Sequence, residues 1–300
     1  MRLQFHTADV FTTEPFGGNP LAVFPAVEGL ESETMQRVAA EFALSETVFV
    51  LPPEDPRHTR KVRIFTPKKE LPFAGHPTIG TAMILSWIGE IPSEGDGAQV
   101  VLEEGVGPVP VRLLLRNGRA HFAEFSSPKL PELRTTSNSI DDIAGVLSLE
   151  PRDICTGALA PRSISCGIPF LFVALAGREA LGRARLNRVV WETKFTNSWA
   201  KDLYLFTRDA RDSDVSARMF GPGVGIEEDP ASGSAVAALA AFLTALSSVR
   251  SGTLKWTVEQ GRDLGRPSTL GLEADVRDGN VISVRVGGSA VPMTEGFLQL

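Results

Sequence analysis

Two short glycine-containing turns carry polar residues whose types and spacing could support chemistry in this 300-residue chain. The first is Ala74-Gly75-His76-Pro77 and the second is Pro230-Ala231-Ser232-Gly233-Ser234, and each precedes an apolar segment that predicts a buried helix. A helix N-terminus presents free backbone N–H groups and the positive end of the helix dipole, and glycine lets a ligand approach the backbone closely. The turns therefore predict a binding site for a small anionic substrate, although Gly and Ser also serve simply to shape and cap helices.

Glu46 is the leading candidate for an acid/base. It follows a segment with the spacing of an amphipathic helix, Met35, Val38, Ala39 and Phe42, and it directly precedes the apolar strand Thr47–Leu51. A carboxylate at the edge of a core is partly desolvated, which raises its pKa towards the working pH and suits proton transfer. The alternative is an ordinary solvated glutamate at a strand end.

Two further titratable residues adjoin the turns. His76 could donate a hydrogen bond to a substrate carboxylate or carry a proton, or it could cap its helix or fill a core position. Asp229 could orient a substrate amine or hydroxyl, pair with His76, or interact favourably with the dipole of the following helix. His6, His58 and His121 are isolated, so no histidine has metal-ligand spacing and no metal site is predicted.

Several classes of function are excluded by what the sequence lacks. It contains no phosphate-binding G-x-x-x-x-G-K-[ST] loop, no G-x-S-x-G elbow and no H-E-x-x-H motif. The Gly-rich segment 221–225 lacks the strand–helix setting of a dinucleotide fingerprint. The net charge is −6 and basic residues form no run, which argues against a nucleic-acid partner.

The composition predicts a cytoplasmic globular protein without a membrane partner. Only Cys155 and Cys166 could form a disulfide, and two thiols in so long a chain favour a reducing compartment. No segment approaches the roughly 20 apolar residues that a bilayer span requires.

The chain repeats itself at half its length. Four segments recur in the same order at offsets of 154 to 156 residues, the clearest being Arg63-Ile64-Phe65-Thr66-Pro67 and Arg218-Met219-Phe220-Gly221-Pro222. Leu102-Glu103-Glu104-Gly105 is echoed by Val258-Glu259-Gln260-Gly261. Such self-similarity predicts a duplicated domain.

The duplication organises the other predictions. Each copy mixes strands with two helices, and the Pro- and Thr/Ser-containing stretch 130–138 is interpreted as the connection between them. We therefore predict one domain over residues 1–130 and another over 131–300, with the segment near 285–300 returning to the first. The offsets align His76 with Ser232 and Glu46 with Lys201, so that only one copy keeps the proton-transfer group.

The motifs taken together resemble the PhzF-like family of phenazine biosynthesis. The likeness runs from near residue 8 to Gly296, almost the whole chain. Its motifs are Asp9-Val10-Phe11, Gly18-Asn19-Pro20-Leu21-Ala22-Val23, Leu44-Ser45-Glu46-Thr47-Val48-Phe49, Arg63-Ile64-Phe65-Thr66-Pro67, Glu70-Leu71-Pro72-Phe73-Ala74-Gly75-His76-Pro77-Thr78 and Glu228-Asp229-Pro230-Ala231-Ser232-Gly233-Ser234-Ala235.

The resemblance implies a diaminopimelate epimerase-like α+β fold: two pseudo-symmetric domains, each a curved mixed sheet around a central apolar helix. It implies a homodimer, no cofactor, and proton transfer by Glu46 in an interdomain cleft. The positions that match the family's substrate-binding residues are His76, Asp229, Gly75, Ser232, Gly233 and Ser234, with Asn19 near the same cleft. Its best-known activity is isomerisation of dihydro-hydroxyanthranilate, whereas related racemases use two cysteines, which these turns lack.

Two alternatives to a PhzF-like isomerase stay open. The chain could be a non-catalytic metabolite-binding or interaction protein of the same fold, or an epimerase that uses Glu46 and Asp229 as opposing bases. The sequence does not identify the substrate, because a fold likeness does not transfer one.

Overall fold

The computed structural model describes residues 1–92 and 95–300, which form two compact units. The first unit comprises Met1–Pro128 with Arg285–Leu300, and the second comprises Lys129–Val284. Helices and strands are mixed along the chain, which confirms the predicted α+β class. Among the described residues, no helix has the length and apolar character that a membrane span needs.

The helices and strands are numbered in chain order. The helices are α1 Ser32–Phe42, α2 Gly75–Trp87, α3 Ile140–Val146, α4 Arg178–Arg183, α5 Arg188–Lys194 and α6 Gly233–Ala245. The strands are β1 Arg2–Val10, β2 Asn19–Phe24, β3 Glu46–Leu51, β4 Arg60–Phe65, β5 Glu70–Leu71, β6 Gly97–Glu104, β7 Gly107–Arg116, β8 Arg119–Ser126, β9 Glu132–Thr135, β10 Arg162–Ser165, β11 Pro169–Ala174, β12 Asp202–Thr207, β13 Val215–Phe220, β14 Gly252–Gln260, β15 Ser268–Arg277, β16 Asn280–Gly288 and β17 Ala290–Gln299.

The first unit is a mixed sheet around α2. Strand β1 pairs antiparallel with β2 and β17, β2 runs parallel to β3, and β4 joins antiparallel β3 to parallel β6. Strands β6, β7 and β8 continue antiparallel, and the last four residues of β16 pair with β8. Helix α2 contacts β1 and β2 in one part of this strand order and β7 and β8 in another. It is therefore the central helix of the unit.

Helix α2 is buried from Gly75 to Ser86, as an apolar-all-round sequence predicts. Its closeness to the sheet depends on Gly80. A Cβ at this position would lie 2.5 Å from Leu21 Cδ2 and 2.7 Å from Val10 Cγ2, so any larger residue would separate the helix from β1 and β2.

The second unit repeats the strand order of the first. Strands β11 and β12 are parallel, β12 and β13 antiparallel, β13 and β14 parallel, and β14 and β15 antiparallel. Helix α6 is buried from Gly233 to Thr244 and contacts β10, β11 and β15. It is the counterpart of α2, and each has thirteen residues.

Strand pairing corrects two of the predicted equivalences. The offset is 155 residues between Phe65 and Phe220 but 156 between their strand partners Thr47 and Leu203, so Glu46 corresponds to Asp202 and not to Lys201. The helix-initiating glycines, Gly75 and Gly233, are 158 residues apart. His76 therefore corresponds to Ser234 and not to Ser232.

Helix α2 begins at Gly75, and Pro77 is tolerated in its first turn because the N–H groups there have no partner within the helix. One local prediction differs from the structure. The predicted connection 130–138 contains β9, which pairs antiparallel with β10. An exposed strand of four residues carries too short an alternation to be recognised from sequence.

Arg218 is buried on β13 and joins three segments of the second unit. Its Nε and Nη2 donate to the two carboxylate oxygens of Glu228 at 2.7 and 2.8 Å. Its Nη1 donates to the carbonyls of Leu181 and Ala184 at the end of α4, both at 2.9 Å. A bidentate pair of this kind fixes the loop that leads from β13 to Asp229.

We expect Arg218→Met to lower the free energy of unfolding by about 3 kcal/mol, because Glu228 would stay buried without its cation. The double variant Arg218→Met with Glu228→Gln, which removes both charges, should recover part of this loss. Urea denaturation of the three proteins would measure it, and equal stability of the single variant and the parent would contradict a structural role for the pair.

Candidate active site

Glu46 and Asn19 lie at the same edge of the first sheet. Each is the first residue of its strand, β3 and β2, and because these strands are parallel their first residues share one end of the sheet. Asn19 is fully buried and Glu46 is 7% exposed. The predicted acid/base is therefore desolvated and is not a solvated strand-end glutamate.

His76 meets Glu46 at the N-terminus of α2. It is the second residue of the helix, directly after Gly75, and its Nε2 lies 3.3 Å from Glu46 Oε2. The N-cap residue, Ala74, has no side chain that could cap the helix, so polar groups from elsewhere must serve this end. The structure thus brings together two residues that are thirty positions apart in sequence.

Burial controls the protonation of His76. The Glu46 carboxyl beside it would favour an imidazolium, but removal of the ring from water outweighs this and lowers the pKa of His76 to about 3. The imidazole is therefore neutral near pH 7. A neutral imidazole offers one N–H donor and one acceptor nitrogen.

The second unit gathers Asp229, Ser232, Gly233 and Ser234 around the N-terminus of α6. Ser232 is the N-cap residue, and Gly233 and Ser234 are the first two residues of the helix. The backbone N–H of Asp229 donates to Met219 O at 2.9 Å, and the Ser232 hydroxyl donates to Asp229 Oδ2. Asp229 is thus held by the sheet on one side and by the N-cap side chain on the other.

Gln260 and Tyr204 support this arrangement and were not predicted. The Gln260 amide donates to Asp229 O at 2.8 Å and to Ser232 Oγ at 3.1 Å, while its carbonyl accepts from the Tyr204 hydroxyl at 3.2 Å. Burial, together with the nearby Asp229 charge, raises the pKa of Tyr204, so its hydroxyl stays a neutral donor.

Glu104 and Thr78 form a second unpredicted pair, in the first unit. Thr78 lies in the first turn of α2, and its Oγ1 is 2.6 Å from Glu104 Oε1. Burial raises the pKa of Glu104 from 4.5 to about 8. The repeat contained a signal for both pairs, since it aligned Glu104 with Gln260, but a repeat alone does not indicate what the residues contact.

The arrangement suits proton transfer and anion binding. In the first unit Glu46 supplies a desolvated carboxyl group, His76 supplies a neutral donor and acceptor, and the buried N-terminus of α2 supplies backbone N–H groups. In the second unit the buried N-terminus of α6 supplies donors of the same kind. Across residues 1–92 and 95–300 there is no group of three or more His, Cys, Asp or Glu side chains arranged to hold a metal ion.

Known proteins match this chain over nearly its whole length. The family model of PhzC-PhzF, described as phenazine biosynthesis-like protein, matches residues 8–296. An uncharacterised isomerase of Mesorhizobium japonicum is 41% identical over 97% of this chain and 96% of its own length. The trans-2,3-dihydro-3-hydroxyanthranilate isomerase of Pseudomonas aeruginosa is 33% identical over 96% of each chain.

The fold is also matched by solved structures. The crystal structure of a PhzF-family phenazine biosynthesis protein from Bacillus anthracis superposes with a TM-score of 0.88 at 23% identity, covering all of both chains. The predicted fold and the PhzF-like resemblance are thereby confirmed. The chain belongs to the PhzC-PhzF family of phenazine biosynthesis-like proteins and is an isomerase with the diaminopimelate epimerase-like fold.

Proposed function

We propose that this isomerase moves a proton on a small carboxylate-bearing metabolite, with Glu46 alternately taking and returning the proton and without a cofactor. The observation that carries the proposal is the buried contact of 3.3 Å between Glu46 and a neutral His76 at the N-terminus of α2. A desolvated carboxylate is a stronger base than one in water, because water no longer stabilises its charge.

In the proposed reaction Glu46 removes a proton from one carbon of the substrate and delivers it to another. The negative charge that develops between these steps spreads onto the conjugated substrate, where N–H donors stabilise it. Backbone N–H groups at Gly75 and His76 are suitable donors because nothing within the helix uses them. A neutral His76 can donate its own N–H without first giving away a proton.

We propose that the α6 N-terminus binds the same substrate as Glu46 and His76. In this role the N–H groups of Gly233 and Ser234 hold the carboxylate, and Asp229 orients a neighbouring amine or hydroxyl. The support is the repeated placement of a buried helix N-terminus in each unit and the membership of the chain in the PhzC-PhzF family. Asn19, buried beside Glu46 at the edge of the sheet, belongs to the same proposed site.

The hydrogen bond between Ser232 and Asp229 favours the isomerase over an epimerase with two opposing bases. An epimerase would need Asp229 to exchange protons with carbon, yet its Oδ2 accepts the Ser232 hydroxyl and its backbone is bound by Gln260. The Ser232 hydroxyl stabilises the Asp229 carboxylate and the Gln260 amide fixes the Asp229 backbone, which suits binding and orientation. The substrate we propose is a cyclic carboxylate of the type named for the relative from Pseudomonas aeruginosa.

We expect Glu46→Gln to lower proton exchange by roughly a thousandfold, because glutamine keeps the shape of the side chain but cannot take up a proton. The measurement is deuterium uptake by trans-2,3-dihydro-3-hydroxyanthranilate in heavy water. Glu41→Gln, the same change at an exposed position of α1, is the matched control and should exchange as fast as the parent. Undiminished exchange in the Glu46 variant would remove this residue from the mechanism.

The neutral state of His76 predicts a pH-dependent stability. Because its folded pKa of about 3 lies below the ordinary 6.5, the unfolded chain binds a proton in this interval that the folded chain does not. The free energy of unfolding should therefore fall as the pH falls from 6.5 towards 3, by up to about 1.4 kcal/mol per pH unit from this group.

Urea denaturation at several pH values would measure the slope, and His76→Asn should lack the part that this group contributes. Identical slopes in the variant and the parent would show that His76 is charged when folded.

A further inference from the structure

The Thr78 hydroxyl has two oxygen neighbours but only one hydrogen to give. Its Oγ1 lies 2.8 Å from the carbonyl oxygen of Ala74 and 2.6 Å from Glu104 Oε1. A carbonyl oxygen carries no hydrogen, so the hydroxyl must donate to Ala74 if that contact is a hydrogen bond. The contact with Glu104 is then a hydrogen bond only if Glu104 itself carries the proton and donates it to Thr78.

The opposite arrangement leaves a buried charge poorly compensated. An ionised Glu104 would accept a hydrogen bond from the Thr78 hydroxyl, and Thr78 would then lose its hydrogen bond to the Ala74 carbonyl. The second oxygen, Glu104 Oε2, is buried and has no hydrogen-bond partner among the described residues. A carboxylate with a single hydrogen bond is costly to bury, whereas a neutral carboxylic acid is far less so.

The equivalent residue of the second unit, Gln260, also supports a protonated Glu104. Gly105 and Gly261, the residues after Glu104 and Gln260, contact the equivalent prolines: a Cβ would lie 2.8 Å from Pro72 Cα in one case and 3.1 Å from Pro230 Cα in the other. Gln260 donates and accepts at the start of α6. A glutamate can do both only when it is protonated.

Charged groups near Glu104 are engaged with one another. Among the described residues no ion pair includes Glu104, and His76 on α2 is neutral near pH 7. The other charged side chains of the groove that Glu104 lines come from β4, β5, β6 and the loop before β4. They form ion pairs: Lys61 with Glu54, Arg63 with Glu70, His58 with Glu103 and Asp55 with Arg57. No neighbouring cation is therefore assigned to an ionised Glu104.

We propose that Glu104 is a protonated positioning residue, whose hydrogen bond through Thr78 to the Ala74 carbonyl fixes the first turn of α2 and with it His76. The chain Glu104–Thr78–Ala74 spans this turn, and His76 lies between Ala74 and Thr78. The consequence for catalysis rests on the proposed function of His76; the protonation and the coupling to His76 do not.

Loss of the Glu104 proton should loosen this turn at alkaline pH. The Thr78 hydroxyl would rotate towards the new carboxylate and no longer donate to the Ala74 carbonyl, and a negative charge would appear beside the first turn of α2. The raised pKa of Glu104, about 8, places this change where His76, with its pKa of about 3, does not itself titrate. A response of His76 near pH 8 would therefore report Glu104.

The test is an NMR titration from about pH 6 to about pH 10 that follows the Glu104 carboxyl carbon and the His76 ring. An ordinary glutamate, with a pKa of about 4.3, is already ionised throughout this range. We expect both signals to move with one inflection near pH 8, and the His76 inflection to vanish in Glu104→Gln. A Glu104 carboxyl that is ionised throughout this range, or a His76 ring that does not respond when Glu104 ionises, would overturn the proposal.

Two variants of Thr78 separate positioning from a general effect on the fold. Thr78→Ser keeps the hydroxyl and should retain the His76 inflection, whereas Thr78→Val keeps the shape and should weaken it while Glu104 still titrates. Equal His76 responses in the two variants would refute the role of the hydroxyl. These measurements decide the matter even if Glu104→Gln does not fold.

The thermal stability of Glu104→Gln gives an independent readout. Because the folded pKa of Glu104 is raised, the folded chain keeps a proton that the unfolded chain releases above pH 4.5, so the contribution of Glu104 to the stability of the parent falls as the pH rises from 4.5 to about 8. The Tm of the variant relative to the parent should rise over the same interval, and a constant difference would contradict a protonated Glu104.

None of these measurements requires turnover. A negative result for Glu46→Gln would leave the Glu104 titration unaffected, and the converse also holds. Where the parent exchanges deuterium into trans-2,3-dihydro-3-hydroxyanthranilate, its rate should fall above about pH 8 and that of Glu104→Gln should not.

Discussion

The first turn of α2 is buried, and the proposed chemistry depends on that constraint. A helix that is apolar on every side must lie inside the protein, and its free N–H groups then cannot be satisfied by bulk water. Side chains at this end share the same low-dielectric surroundings, so their protonation is set by burial and not by solvent. His76 becomes neutral and Glu104 retains its proton for the same physical reason, although one is a base and the other an acid.

The two copies of this arrangement differ in the polar contacts at their helix N-termini. At the start of α6 the equivalent support is a neutral network in which Gln260 and Tyr204 hold the N-cap serine and Asp229. Both copies also have a carboxylate at the first residue of equivalent strands, Glu46 on β3 and Asp202 on β12. Asp202 accepts a hydrogen bond from the backbone N–H of Gly223 at 2.7 Å, whereas Glu46 contacts the His76 imidazole. The two copies thus differ in what their carboxylates contact and not in whether they have one.

The relation between Glu104 and Gln260 shows how such a scaffold tolerates change. Both positions demand a side chain that donates and accepts against the start of a helix, and an amide satisfies this at any pH. A glutamate satisfies it only below its own pKa, so this exchange makes one helix start sensitive to pH and leaves the other insensitive. The same geometry therefore serves as a fixed support in one unit and, we infer, as a titratable one in the other.

Much of the fold and part of the site follow from the sequence. Apolar periodicity predicted the two buried helices, and the glycine-containing turns and the strand after α1 predicted the candidates His76 and Glu46, because these patterns depend on neighbouring residues. The half-chain repeat predicted the duplication, and the family resemblance implied the α+β fold. The match of Glu46 with Lys201 and of His76 with Ser232 was wrong because loops of unequal length shift the offset between 155 and 158 residues. Only the tertiary structure decided strand register, the contact of Glu46 with His76, and the burial of Glu104 against Thr78, since each joins residues that are distant in sequence and is fixed by packing around α2.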